Sequence, residues 1–372
     1  MDRQQTEQII KDLEKKIVFL VGPRQVGKTW LAKKISARYP KSVYLNYDRL
    51  EDRKIMEKEQ WLAETDLLIL DELHKMKGWK NYLKGIYDTK PDGLRILVTG
   101  SARLETFRNS GDSLAGRFFV HHLLPLSLAE LKGKEPGGVD KLLERGGFPE
   151  PFLAATAVEA DRWRSQYIDG LIRTDILDFE KIHDFKAITA VFELLRRKVG
   201  SPVSYCSIAE DAEISPATVK KYIDIFEALY IVFKVSPYSK KIARSLLKEP
   251  KIYFYDNGLV IGEEGAKFEN FVAVSLLKQV LGRNDYLGKN DRLRYLRTKE
   301  GKEVDFCLVE DEKISSIVEA KLSETDISNN LRYFSDRYNL EAVQVVKNLK
   351  REKQDGKIKV VRAASYLEKL FL

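Results

Sequence analysis

Apolar residues fall into short continuous runs in the first third of the chain and into alternating or helical spacing afterwards. Residues 16–21, 66–71 and 94–99 are nearly unbroken aliphatic runs, which predicts strands buried on both faces of a parallel sheet. Residues 42–47 alternate apolar and polar positions and predict another strand, and residues 118–124 predict a fifth. Residues 30–38 and about 50–62 lie between these runs with helical spacing, so the first 125 residues read as a parallel α/β layer. Beyond Pro125 the strand character stops. Residues 126–185 read as mainly helical, interrupted at 133–138 and at Gly146 and Gly147.

A helix over 187–198 follows, then a helix-turn-helix pair over 207–212 and 216–229. Ser215 suits its N-cap and Pro216 its first helical position. Strands at 231–235 and 251–255 complete a winged-helix pattern, with Lys240, Lys241, Arg244 and Lys248 between them. The tail reads as a helix over 266–280, a hairpin of strands 292–297 and 303–309 around Gly301, and a strand at 316–321.

Composition narrows the class. With 372 residues, 44% of them hydrophobic and 32% charged, the chain has apolar material for several cores. No apolar run approaches the roughly 20 residues needed to span a bilayer, and the N-terminus lacks an apolar signal region, so a cytoplasmic protein without membrane contact is expected. A net charge of +8 is compatible with a polyanionic partner such as DNA. Cys206 and Cys307 lie far apart and predict no structural disulfide. His74, His121, His122 and His183 have no metal-ligand spacing and read as packing or surface residues.

Chemistry enters at residues 22–29. Gly22, Pro23, Arg24, Gln25, Val26, Gly27, Lys28 and Thr29 fit the phosphate-binding loop pattern, between an apolar strand and a helix. The two glycines let successive N–H groups turn toward phosphate oxygens, Lys28 can reach the β- and γ-phosphates, and Thr29 can ligate Mg²⁺. The strand ending in Asp71 and Glu72 supplies the second half: Asp71 for the Mg²⁺ shell and Glu72 to polarise the attacking water. Ser101, or Thr99, would sense the γ-phosphate. Arg117 would serve as an arginine finger, with Arg103 its rival; a finger in trans needs a neighbouring subunit and hence a homo-oligomer. The run order predicts an extra strand between the two Walker strands, the arrangement of the additional-strand ATPase division.

The ordered motifs Gly-Pro-Arg-Gln-Val-Gly-Lys-Thr, Leu-Asp-Glu-Leu, Thr-Gly-Ser-Ala, Leu-Ala-Gly-Arg, Pro-Leu-Ser-x-x-Glu and Gly146 to Glu150 carry a resemblance over essentially the whole chain. It resembles the archaeal and bacterial AAA+-like ATPases with a C-terminal restriction-endonuclease-like, PD-(D/E)xK, domain of unassigned function. The resemblance implies an ATPase core over 1–125, a helical lid over 126–185, a winged helix over 186–258 and a nuclease-like tail over 259–372. His74 stands where a polar amide is more usual in that pattern.

In the tail, alternation predicts Asp305 and Cys307 on one face of their strand, with Val304, Phe306 and Leu308 on the other. Ile317, Glu319 and Lys321 share a face of the next strand. Asp305, Glu319 and Lys321 would then converge as the D…E-x-K set of restriction-like nucleases. The two acids and an auxiliary Glu269 would hold Mg²⁺ or Mn²⁺, and Lys321 would hold or deprotonate the nucleophile. The chain therefore reads as an α/β multidomain, ATP- and Mg²⁺-using enzyme directed at DNA. A nucleotide-controlled switch with an inert tail, acting on a protein partner, is the alternative.

Overall fold

The computed structural model describes residues 3–100, 114–132, 138–172, 184–239, 249–323 and 326–371. Ser101, Arg103, His183, Lys240, Lys241, Arg244 and Lys248 lie outside the described residues. The chain divides into two compact units, residues 1–124 with 228–230, and residues 125–227 with 231–372.

The first unit is built on five parallel strands, β1 (Ile17–Val21), β2 (Ser42–Asn46), β3 (Leu67–Asp71), β4 (Arg95–Thr99) and β5 (Phe118–His122), in the order β2-β3-β4-β1-β5. The unbroken aliphatic runs become the central strands because both of their faces are covered. On one face Phe19, Leu70 and Val98 pack with Trp79, Leu83 and Ile86 of α4 (Trp79–Thr89). On the other, helices α1 (Thr6–Leu13) and α2 (Lys28–Ser36) bring the buried Ile9, Leu31 and Ile35. A short charged helix α3 (Leu50–Glu57) follows β2. Strand β4 lies between β1 and β3, where the run order puts the extra strand. Registers align Leu20 with Thr99, Thr99 with Asp71, and Asp71 with Asn46. Four strands thus end together, where α/β sheets present their ligand sites.

The second unit opens with helices α5 (Leu128–Leu131), α6 (Gly138–Arg145), α7 (Pro149–Leu153) and α8 (Ala157–Gly170). Ser127 and Glu130 form a reciprocal capping box on α5. Helices α9 (Phe185–Arg196), α10 (Tyr205–Asp211) and α11 (Pro216–Ala228) precede a two-stranded antiparallel sheet of β6 (Val232–Val235) and β7 (Lys251–Phe254). The long helix α12 (Glu264–Leu287) lies against β7, where the Asn270 side chain accepts from the Phe254 N–H (2.8 Å) and donates to the Phe254 carbonyl (3.0 Å). A side-chain amide there completes the pairing that a neighbouring strand would supply.

The C-terminal sheet has six strands, ordered β12-β13-β11-β10-β9-β8. Strands β8 (Arg292–Arg297), β9 (Glu303–Glu310) and β10 (Lys313–Lys321) form an antiparallel meander. Helix α13 (Asn329–Tyr338) then crosses over to β11 (Glu341–Val346), which pairs parallel to β10. Strands β12 (Lys353–Asp355) and β13 (Ile358–Arg362) and helix α14 (Ala363–Leu367) complete it.

The alternation expected along β9 fails at one point. Arg294 pairs with Cys307 but Leu296 pairs with Val304, so β9 carries an extra residue there. Such a bulge sets two residues against one and re-aims the side chains around it. Val304 consequently packs with Cys307 and Val309 in the cluster that holds Leu331 and Phe334 of α13. The expected grouping of Val304 with Phe306 and Leu308 is corrected accordingly. Phe306 instead meets Tyr253 of β7, with ring centroids 5.6 Å apart. Asp305, beside Phe306, also has its partners on the β7 side.

Candidate functional site

The phosphate loop leaves β1 at Gly22, whose φ of 141° and close approach to β5 admit no side chain: a Cβ there would lie 2.2 Å from the Leu123 carbonyl oxygen. Gly27, at φ 100°, caps α2 in the left-handed region. Lys28 opens α2, is 8% exposed, and donates to the carbonyls of Gly22 (2.9 Å) and Pro23 (2.6 Å). Its ammonium therefore spans the loop. Burial pushes its pKa down to about 8, against the opposing pull of Glu72 and Asp71.

Asp71 is the hub. Its Oδ2 accepts from the hydroxyls of Thr29 (3.0 Å) and Tyr44 (2.6 Å), and its Oδ1 from the Thr99 hydroxyl and the Glu72 N–H (3.1 Å). The parallel register explains the arrangement, because β2, β3 and β4 end side by side next to α2. Glu72 turns out of the strand at φ 56°, and its carboxylate lies 3.6 Å from Lys75 Nζ and 3.7 Å from His74 Nε2. Burial pushes the Glu72 pKa upward. Thr99 is thus the strand-end hydroxyl that the structure places on Asp71, and Ser101 lies outside the described residues. Tyr44 was not singled out by the sequence, since a tyrosine on an alternating strand reads as packing.

Arg117 lies away from its own phosphate loop. It immediately precedes β5, and Phe118 is paired with Ile17 at the start of β1, whereas the phosphate loop follows the end of β1. The arginine therefore sits at the opposite end of the sheet from its own loop, which excludes it as a finger on that nucleotide. Its guanidinium is tied to Asp88 at 2.9 Å. His121 is buried and bonded to Asp12 at 2.9 Å.

Residues 14–132, which carry this centre, match a family model described as an AAA domain. The first unit is an AAA-type P-loop domain. Residues 137–267 and 264–366 match two further models, each described as a domain of unknown function (DUF8612 and DUF4143). The chain is similar to an uncharacterized protein of Mycobacterium tuberculosis, 25% identical over 304 residues that cover 78% of this chain and 66% of that one. It therefore spans just under two thirds of that relative's length. An uncharacterized protein of Methanocaldococcus jannaschii is 23% identical over 356 residues, covering 87% of this chain and 79% of that one. Among solved structures, the Walker-type ATPase of Pyrococcus abyssi is 14% identical with a TM-score of 0.47, over 70% of this chain and 94% of that chain. No described helix is long and apolar enough to cross a membrane.

A second acidic centre lies in the C-terminal sheet. Lys321 Nζ is 3.3 Å from Glu319 Oε1, which also accepts from the Ser328 hydroxyl at 3.3 Å. Asp305 Oδ2 accepts from the Ala320 N–H at 3.0 Å, so β9 and β10 bring the predicted trio to one place. Glu269, from α12, accepts from the Tyr253 hydroxyl at 2.6 Å. Burial pushes the pKa values of Glu269 and Glu319 upward, and the Asp305 charge adds to the shift at both. Lys251 was not singled out by sequence reasoning. This β7 lysine is 1% exposed, with its Nζ 2.8 Å from Glu303, 3.3 Å from Glu269 and 3.5 Å from Asp305. Among the described residues, no group of three or more His, Cys, Asp or Glu side chains is arranged to hold a metal ion.

Proposed function

We propose that this chain is a Mg²⁺-dependent ATPase that couples turnover to action on DNA. The contact between Thr29 and Asp71, beside the loop-spanning Lys28, carries the first half. A hydroxyl and a carboxylate are the hard oxygen donors that Mg²⁺ takes, and they are adjacent before any nucleotide arrives. Bound there, Mg²⁺ would neutralise charge on the phosphate oxygens. Lys28 would exchange its two carbonyl partners for phosphate oxygens. Thr99 and Tyr44 hold the Asp71 carboxylate in place, and Glu72 takes the proton of the attacking water. Steady-state ATP turnover is the test. Lys28→Ala should lower it by at least about 10²–10³-fold; undiminished turnover removes the proposed engine.

Action on DNA is supported by α11, which exposes Ala217, Lys220 and Lys221 in a helix-turn-helix pair. The acids Asp224 and Glu227 on the same helix are held by Lys234 of β6, which relieves the repulsion they would exert on phosphate. With its β6–β7 hairpin, this segment is on our proposal a winged helix. The tail is a nuclease-like module that grips DNA and has the residues Asp305, Glu319 and Lys321 for cleavage. DNA affinity measured against salt should fall steeply, and Lys220→Ala should reduce the log–log slope by about 1. A flat salt dependence defeats the DNA half and leaves the ATPase half standing.

A further inference from the structure

An ammonium group has three protons to donate, and Lys251 directs its Nζ at three carboxylates, those of Glu269, Glu303 and Asp305. The lysine opens β7, the acids come from α12 and β9, and the Tyr295 ring lies 5.6 Å from the Nζ. Little room remains around this arrangement. Tyr253 occupies a Glu269 oxygen, the Ala320 N–H occupies the second Asp305 oxygen, and Arg297 lies 2.9 Å from Glu303. Gly200 presses on Glu269 so closely that a Cβ would fall 2.7 Å from its Oε2. A Mg²⁺ ion needs near-octahedral oxygen ligation and keeps several waters, which these contacts do not admit. Glu269, Glu303 and Asp305 do not fit a divalent ion as they stand.

We infer that the chain's own Lys251 fills the cation position between Glu269, Glu303 and Asp305, so that these three acids take up no divalent ion while that lysine is seated. Removing the ammonium would leave Glu269, Glu303 and Asp305 without their counter-charge. The inference deepens the nuclease-like reading of the tail and rests on it for the comparison with a metal centre. It assigns Lys251 the role of a built-in counter-ion, since the lysine comes from β7 and not from the C-terminal sheet that carries Glu303 and Asp305.

The test uses the full chain carrying Asp71→Asn, without nucleotide, so that the phosphate-loop centre contributes no ion. Mn²⁺ is the probe, read by electron paramagnetic resonance and by the melting temperature. The parent should show no tail-bound Mn²⁺ and no melting shift. Added Lys251→Ala should bind Mn²⁺ at least about tenfold more tightly than the parent and melt higher with it, and a further Asp305→Asn should abolish both effects. Mn²⁺ binding by the parent that Asp305→Asn removes overturns the inference, as does a folded Lys251→Ala chain that takes up none. If Lys251→Ala fails to fold, Lys251→Gln replaces it and the parent measurement still decides. ATP turnover of the chain without Asp71→Asn reports separately on the ATPase proposal.

Discussion

Asp71 and Asp305 are strand carboxylates in different units, each held by several partners, and the kind of partner separates them. Asp71 is surrounded by neutral donors, three hydroxyls and an N–H, and keeps its charge available. Asp305 meets an ammonium that it shares with two other acids. Hydroxyls orient a carboxylate and are readily exchanged for a metal ion, whereas a buried ammonium has already neutralised it. A cluster of acids in a sequence motif thus says little about metal binding until the counter-charge is known.

The contrast breaks most visibly through Lys251. Lys251→Ala should destabilise the C-terminal unit by about 3–5 kcal/mol, because it strands buried carboxylates without a cation. Tyr44→Phe, which removes one neutral donor from Asp71, should cost only about 0.5–1.5 kcal/mol. Urea unfolding followed in each unit compares the two; equal losses would erase the distinction. A smaller effect sharpens the Asp71 side. Lys28 has a pKa of about 8 in the nucleotide-free loop, and only its charged form pairs with phosphate. Protonation therefore limits binding above that pH, and ATP affinity should fall about tenfold between pH 7 and 9. Titration calorimetry showing a flat profile would contradict the assigned burial. The smallest effect belongs to Arg117→Ala, which should leave ATP turnover within about twofold, since it removes only a surface pair with Asp88. A loss of a hundredfold would mean that the arginine serves a neighbouring copy.

Much of the first unit was legible because its chemistry is local. The phosphate loop and the Asp71 and Glu72 pair sit on runs whose burial on both faces leaves little choice of element. The end of the sheet that Arg117 occupies was not legible, because proximity in a motif does not tell where along a parallel strand a residue lies. In the tail, the strand Arg292–Arg297 and the convergence of Glu319 with Lys321 could be read from spacing. Lys251 could not, since a lysine opening an apolar strand looks like a solvated end, and its three acids lie 18 to 54 residues away. The bulge on β9 was equally hidden, because strict alternation is the only register that a pattern of apolar residues suggests.

That bulge makes the tail sensitive to a change of a single residue. Deleting Phe306 would restore regular pleating, with Val304 and Cys307 still toward α13 and Asp305 still toward Lys251, but would take away the ring that meets Tyr253. The extra residue thus sets an aromatic ring and a carboxylate side by side on one surface of the strand, where regular pleating has room for only one of them.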